Sequence, residues 1–260
     1  MEQFRAIESL YGKSAVQTLL KSHVCIIGLG GVGSWSAEAL IRSGIGKITL
    51  IDLDEICITN TNRQIHANTK TVGKSKIEIL KSRFLKINPE AQIELIHDFI
   101  TKENISRIEK LHAENPIDFI IDAVDGVSAK CSIISCSKEL NIPIITTGAA
   151  AGKVDPTKIQ VSDISLTQND RLLKQVKRLL KKEYGFPREK GKLGVMSASS
   201  IEKASMGGNS SCEVKTGKLD CDGSLGSVCF VTASVGFAAS SYVTNWLSNS
   251  RGSSLDESLS

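Results

Sequence analysis

Three glycines at the spacing G-x-G-x-x-G mark the first place in the chain where chemistry is expected. They are Gly28, Gly30 and Gly33 in the run "GLGGVG", which also contains Gly31 and follows an apolar stretch. Glycine here permits a tight turn, a close approach of the backbone to phosphate, and close packing of a helix on a strand. The N–H groups at the start of the next helix favour an anion. The motif predicts a nucleotide site, and by itself it leaves NAD and ATP open.

A dense polar run follows the second apolar stretch. Asp52 lies 19 residues beyond Gly33, which is where dinucleotide-binding folds place the acidic residue that contacts the ribose. A second aspartate, Asp54, follows it. The run then supplies four side chains able to surround phosphates: Asn60, Asn62, Arg63 and Gln64.

These residue types match the needs of an enzyme that cleaves ATP at its α-phosphate. Such an enzyme must neutralise charge that develops on phosphorus and on the departing pyrophosphate. Arg63 and Lys76 supply cations, while Asp122 and Asp125 lie at the end of a later apolar run. Because open parallel sheets bind ligands beyond their strand carboxyl ends, we expect these groups to meet in one crevice. The alternative is a polar loop with solvated lysines.

Apolar runs of strand length alternate with helical patterns from residue 23 to about 148. The strand candidates lie at 23–28, 47–52, 92–97, 118–123, 142–147 and 157–164. Helices are expected at 32–42 and at 74–87, the second ending before Asn88-Pro89. The alternation predicts an α/β fold with a Rossmann-like, doubly wound and mostly parallel sheet.

Four segments are expected along the chain. Residues 1–22 form an amphipathic helix, not a secretory signal, and 23–164 form the nucleotide-binding domain. Residues 165–248 complete the same domain and its sheet with a basic helix, a loop that includes 197–214, and an apolar helix. Residues 249–260 read as a disordered tail.

The composition, 41% hydrophobic and 23% charged with a net charge of +4, is that of a soluble globular protein. The seven cysteines form no C-x-x-C pair, which argues against a zinc site or a disulfide framework and favours a reducing, cytoplasmic compartment. No roles are assigned to Cys221, Cys229 or the four histidines.

One segment, 223–250, contains no charged residue. It is long enough to cross a bilayer, but it is rich in serine, threonine and glycine. A helix buried in the body or at a subunit contact is therefore preferred, and membrane association through 223–247 is the alternative.

The motifs "GxGGxG", "DxDxxxxTNxNRQ", "VGKSK" and "DAVDG" together resemble the ubiquitin-activating-enzyme-like superfamily of ATP-dependent carboxylate adenylyltransferases. The resemblance covers residues 4 to about 150 and implies ATP and Mg²⁺ as cofactors and a homodimer. It implies that Asp52 binds the ribose and that Asp125 holds the metal. It also implies that the phosphates are surrounded by Asn60, Arg63, Gln64 and Lys76.

Further stretches, including "TNTNRQIH" and "GKLGV", resemble a tRNA-modifying branch of that superfamily over nearly the whole chain. The implied reaction is the ATP-dependent closure of threonylcarbamoyladenosine, in tRNA anticodon loops, to its cyclic form. Ring closure within one nucleoside needs positioning more than an enzymic nucleophile. The alternatives are activation of a ubiquitin-like or sulfur-carrier protein, an NAD-dependent oxidoreductase, and a non-catalytic nucleotide-binding scaffold.

A basic segment from Arg171 to Lys192 holds nine lysines and arginines against two glutamates. Such a surface suits the RNA backbone, whose contacts dominate affinity, although an ordinary solvated helix face would have the same pattern. The candidate tRNA contacts are Lys174, Lys177, Arg178, Lys181, Lys182 and Lys192.

Overall fold

The computed structural model describes residues 2–189, 191–205 and 225–249. Seven strands of these residues form one sheet, in the order β3-β2-β1-β4-β5-β7-β6. In chain order they are β1 His23–Ile27, β2 Lys47–Ile51, β3 Gln92–Ile96, β4 Phe119–Asp122, β5 Ile144–Thr147, β6 Ile159–Asp163 and β7 Met196–Ser200. All neighbouring strands run parallel except β6 and β7. The expected α/β fold with a mostly parallel sheet is confirmed.

Helices cover both faces of the sheet. In chain order they are α1 Arg5–Tyr11, α2 Lys13–Lys21, α3 Gly33–Arg42, α4 Lys76–Ile87, α5 Ser106–Glu114, α6 Val127–Glu139, α7 Arg171–Glu183 and α8 Cys229–Ser248. The expected N-terminal helix is divided into two, because Gly12 adopts a positive φ of 85° between α1 and α2.

The central strands are buried on both sides, which is why they read as unbroken apolar runs. Along β1, Val24 and Ile26 face one hydrophobic layer, with α3, α4 and α8. Cys25 and Ile27 face the other layer, with α5 and α6. The two-residue period of a strand thus divides one short segment between two cores.

The last described helix, α8, is the apolar segment that left membrane association open. Its buried positions include Val231, Val235, Ala239 and Val243, one turn apart, which face α3 and the sheet. The helix thus packs in the body of the domain, as the preferred interpretation of this segment predicts. Within the described ranges, no helix combines the length and apolarity that crossing a membrane requires.

The prediction of a loop over 197–214 is wrong at its start. Residues 197–200 belong to β7, which pairs with β5 on one side and with β6 on the other. The rest of that loop after residue 205, Cys212, Cys221 and the tail beyond residue 249 lie outside the described residues.

Candidate active site

The sheet changes its winding direction between β1 and β4, and the predicted site residues gather beyond the carboxyl ends of these strands. The glycine loop follows β1, Asp52 follows β2, and Asp125 follows β4. This is the switch point at which doubly wound sheets leave a crevice for ligands.

The glycines of the loop have different tasks. A Cβ on Gly28, whose φ is +88°, would lie 2.9 Å from the Ala123 carbonyl carbon, and a Cβ on Gly33 would collide with the Gly28 carbonyl oxygen. A Cβ on Gly31 would lie 3.2 Å from Thr232 Cγ2. Gly30 faces open space. Gly28 and Gly33 are therefore in tight contact with the backbone around them, whereas the loop is open at Gly30. A loop that binds phosphate through its backbone amides needs such an open side.

Asp52 is buried and holds this loop in place. One carboxylate oxygen accepts a 2.6 Å hydrogen bond from the Leu29 amide, and the other accepts a 2.8 Å bond from the Asp54 amide. Burial raises the pKa of Asp52, and Lys76 and the two amides oppose that rise. The carboxylate therefore joins the glycine loop to the turn after β2.

Lys76 begins α4 and is almost fully buried. Its Nζ lies 2.6 Å from Asp54 Oδ2 and 4.0 Å from Asp52 Oδ1. The two aspartates orient the ammonium group, which places one cation beside the expected ribose and phosphate positions.

The polar run is a folded loop with internal hydrogen bonds. Asn60 is buried, and its Oδ1 accepts a 3.0 Å bond from the Cys57 amide. Arg63 Nη1 donates to the Thr59 carbonyl at 2.8 Å and to Asn62 Oδ1 at 2.9 Å. Gln64 is buried, and its Oε1 accepts no hydrogen bond from the described residues.

Ser227, just before α8, and Thr232, in its first turn, contact this loop. Asn62 Nδ2 donates to the Ser227 carbonyl at 2.8 Å, and the Arg63 carbonyl accepts a 2.9 Å bond from Trp35 Nε1 and a 3.5 Å bond from Thr232 Oγ1. Ser227 and Thr232 are more than 160 positions away in the chain, so no local pattern could predict the contact.

Two titratable side chains flank Arg63 without an assigned role. Cys57 is exposed, and a hydrogen bond from Thr59 lowers the pKa of its thiol, with a smaller effect from Arg63. His66 is buried, and neither ring nitrogen has a hydrogen-bond partner among the described residues. Burial lowers the pKa of His66 to about 3, with a smaller effect from Lys76.

Asp125 is exposed in the turn after β4. The described residues contain no group of three or more metal-binding side chains, so they form no all-protein cage. Mg²⁺ is commonly held by one or two carboxylates together with substrate phosphates. An exposed carboxylate after β4, the strand next to the one that leads into the glycine loop, fits that manner of binding.

The basic residues of 171–192 lie on α7 and in the segment that follows it. The Asp170 side chain caps α7 by accepting from the Leu173 amide at 2.9 Å, and it also accepts from the Ala149 amide beyond β5. The helix thus starts at the same edge of the sheet as the site.

The structure divides the predicted RNA-contacting side chains into two groups. Lys177 is half-buried, and its Nζ donates to the Thr167 carbonyl at 3.0 Å, while Lys181 donates to the Glu189 carbonyl at 3.4 Å. Lys192 is exposed beyond α7. The outward-facing cations of the helix, which we name the α7 stripe, are Arg171, Lys174, Arg178 and Lys182.

A glycine loop at the switch point of a doubly wound sheet, with a buried aspartate after the second strand, defines a nucleotide-binding α/β domain. The chain belongs to the ThiF family, whose model matches residues 4–254.

Relatives in this family match over different lengths. The tRNA threonylcarbamoyladenosine dehydratase of Escherichia coli is 40% identical over 249 residues, which cover 93% of this chain and 91% of that protein. The sulfur carrier protein ThiS adenylyltransferase of E. coli is 32% identical over 133 residues, which cover 51% of each chain. The first similarity therefore extends over nearly the whole chain, and the second over about half of it.

A solved structure agrees with the first relationship. The crystal structure of the E. coli dehydratase in complex with ATP matches with a TM-score of 0.84 and 38% identity, covering 95% of this chain and 93% of that one. The similarity in structure thus extends over α7, β7 and α8 as well as the nucleotide-binding half.

Proposed function

We propose that this chain is an ATP-dependent tRNA threonylcarbamoyladenosine dehydratase. The observation that carries the proposal is the 40% identity to the E. coli dehydratase over 93% of the chain, in sequence that includes every residue of the candidate site. The geometry supports it, because the glycine loop, Asp52 and Asp125 follow the carboxyl ends of three neighbouring strands, and Lys76 lies 2.6 Å from Asp54.

The reaction begins by making a poor electrophile reactive. An oxygen of the threonyl carboxylate attacks the α-phosphorus of ATP, the bond to the bridging oxygen breaks, and pyrophosphate leaves. The resulting acyl adenylate is attacked by a nitrogen of the same nucleoside, the ring closes, and AMP departs. The water formally lost from the nucleoside is accounted for by the conversion of ATP to AMP and pyrophosphate.

Residues of the chain stabilise charge in the first step. Arg63 and Lys76 face the phosphates as cations, and the amides of the glycine loop bind phosphate oxygens at the start of α3. Asp52 receives the ribose, and Asp54 orients Lys76 through their 2.6 Å contact. Asn60, Asn62 and Gln64 shape the loop that carries Arg63.

Asp125 is the proposed Mg²⁺ ligand, together with phosphate oxygens of the nucleotide. A bound Mg²⁺ would supply positive charge to the phosphates as pyrophosphate leaves. The second step is intramolecular and requires the site to hold the nucleoside in place. A catalytic cysteine is therefore not needed.

The proposed substrate is tRNA, with the α7 stripe and Lys192 contacting phosphates of its backbone. We further propose a cytoplasmic homodimer. The alternative is an adenylyltransferase for a ubiquitin-like or sulfur-carrier protein. The similarity to the sulfur-carrier enzyme covers only half of the chain, so it favours this alternative less.

Nucleoside mass spectrometry tests the proposal. tRNA that carries threonylcarbamoyladenosine is incubated with the protein, ATP and Mg²⁺, then digested and analysed. We expect the modified adenosine to lose one water only when ATP is present, with AMP formed in equal amount. The matched control is the same tRNA transcribed without the modification. With this tRNA, the protein should release no pyrophosphate from ATP. ATP consumption that needs an added carrier protein and leaves the nucleoside unchanged would favour the alternative.

A further inference from the structure

A buried ion pair lies at the end of β4, three residues before Asp125, the proposed metal ligand. Asp122 ends β4 and Lys130 lies on α6, and both side chains are 0% exposed. Lys130 Nζ donates to Asp122 Oδ2 at 3.0 Å, to the Asp122 carbonyl at 3.3 Å and to Thr146 Oγ1 at 3.1 Å. Thr146 in turn donates to Asp122 Oδ2 at 2.6 Å. Three elements, β4, β5 and α6, are joined at one point.

Such a pair is poorly explained by stability alone. Removing two charges from water costs several kcal/mol per ion, and apolar residues of similar volume often replace a buried pair without loss. All three protons of Lys130 have acceptors here. A fully satisfied polar cluster fixes one geometry of its surroundings, and that geometry is what the pair can contribute.

The Asp122–Lys130 pair fixes the conformation of the turn after β4, which carries Asp125. Asp122 Oδ1 accepts a 3.2 Å bond from the Val124 amide, and the Ala123 amide donates to the Ile27 carbonyl at 2.8 Å. On the other side, the backbone of Ala123 packs so closely on Gly28 that a Cβ at position 28 would lie 2.9 Å from the Ala123 carbonyl carbon. The turn is held between the buried pair and the glycine loop, and Asp125 lies three residues beyond Asp122.

We propose that Lys130 is a positioning residue of the nucleotide site. It acts through Asp122 to hold the turn after β4, so that the Asp125 carboxylate faces the phosphates and their Mg²⁺. The inference rests on the proposed function, because that function assigns the metal to Asp125.

A second buried pair provides a matched control. Lys153 and Asp170, with 1% and 0% exposed side chains, have Nζ and Oδ2 3.4 Å apart. Lys153 also donates to the carbonyls of Ala149 and Ser200, beyond β5 and at the end of β7. It resembles Lys130 in burial and bonding, but its three acceptors belong to Ala149, Asp170 and Ser200, outside the turn after β4.

The test measures ATP binding by isothermal titration calorimetry without tRNA, once with Mg²⁺ and once with EDTA. The quantity compared is the metal gain, the ratio of the two dissociation constants. We expect Lys130→Met to reduce this gain about tenfold or more, as removal of a group that orients a metal ligand commonly does. Its affinity for metal-free ATP should stay near that of the wild type, and Lys153→Met should retain the wild-type gain.

A double-mutant cycle shows whether Lys130 acts through the metal ligand. In an Asp125→Ala background, Lys130→Met should produce no additional loss, because the two effects share one route. If Lys130→Met fails to fold, Thr146→Val replaces it, since it removes one hydroxyl from the cluster at nearly constant shape. We expect a smaller loss of metal gain for this variant.

Three results would overturn the inference: a folded Lys130→Met protein with wild-type metal gain, an additive effect in the cycle, or an equal loss in Lys153→Met. These outcomes are separate from a failure of the proposed function. That failure would appear as normal metal-dependent ATP binding by the wild type with no dehydration of tRNA.

Discussion

The carboxyl ends of β1, β2 and β4 hold their charges in a different way from the α7 stripe. At the strand ends, Asp52 is buried and accepts from the Leu29 amide, and its neighbour Lys76, at the start of α4, is buried and lies 2.6 Å from Asp54. On α7, Lys174 and Arg178 are exposed, and Lys182 pairs with Glu183, the next residue, whose side chain is also exposed. The two regions start from the same edge of the sheet, since Asp170 joins α7 to the end of β5.

This difference separates two physical tasks. Buried charges with fixed partners act through geometry, and their low-dielectric surroundings make them sensitive to protonation. Exposed cations act through the number of phosphates that they neutralise, and ions in solution compete with them. We therefore expect the strand ends to respond to small structural changes and to pH, and the α7 stripe to respond to salt.

The largest effect is expected from removing a charged group at the nucleotide site. Arg63→Ala and Asp125→Ala should each lower the rate of pyrophosphate release by about 100-fold or more, the size typical of losing one preorganised electrostatic contact to a transition state. The melting temperature should change little, because Arg63 is only partly buried and Asp125 is exposed. Pyrophosphate release and circular dichroism are measured on the same samples.

Arg107→Ala is the matched control for this loss. Its guanidinium pairs with Asp98 on the surface, on α5, outside the nucleotide site. Wild-type pyrophosphate release by either site variant would contradict the site assignment.

A smaller effect is expected from pH on the stability of the fold, through the buried side chain of His66. Burial lowers the pKa of His66 from its ordinary value of 6.5 to about 3 in the folded chain. The unfolded chain therefore binds the proton first, and the stability that depends on neutral His66 is complete above pH 6.5 and declines as pH falls toward 3. Between pH 7 and pH 5 this amounts to about 2 kcal/mol of the free energy of unfolding.

Urea unfolding of His66→Gln at these two pH values measures the contribution. The difference in unfolding free energy between pH 7 and pH 5 should be smaller than in the wild type by roughly that amount. His97→Gln, which removes an exposed ring hydrogen-bonded to Glu78, is the control. A variant that keeps the full wild-type difference would show that burial of His66 is not the cause.

The sequence predicted the strand ends better than it predicted what surrounds them. Parallel strands buried on both faces are continuous apolar runs, so β1 and β2 were placed to within one residue. In contrast, β7 has the sequence "MSASS", whose small polar side chains are typical of loops. It becomes a strand because β5 and β6 pair with it and α8 covers it, and these are tertiary effects.

The same limit applies to the site. The glycine loop and the polar run are local patterns, and their spacing alone indicated a phosphate site. Lys130 has no local signal, because a lysine on an amphipathic helix is usually solvated. Its acceptors lie on two strands that reach it only in the folded sheet. The contacts of Ser227 and Thr232 with the Arg63 loop were missed for the same reason.

The α7 stripe offers the weakest single-residue effect and the most direct test of the contrast. Lys174 is exposed, whereas Lys177 on the same helix is half-buried and donates to two backbone carbonyls. Burial also lowers the pKa of Lys177, and its ammonium group already donates to the carbonyls of Ser165 and Thr167. The two lysines are three residues apart and of the same type, and they differ in whether a phosphate can reach them.

Lys174→Gln should weaken tRNA binding about fivefold near 0.1 M salt, and it should reduce the slope of log affinity against log salt by about 0.7 to 1, the value for one lost phosphate contact. Lys177→Gln should leave that slope unchanged, because its ammonium group stays with the carbonyls of Ser165 and Thr167. Filter binding at several salt concentrations, without ATP, gives both slopes. Equal slopes for Lys174→Gln and wild type would mean that the stripe is an ordinary solvated face. Since ATP is absent from this measurement, such a result would leave the chemistry at the strand ends untouched and would place the RNA elsewhere on the domain.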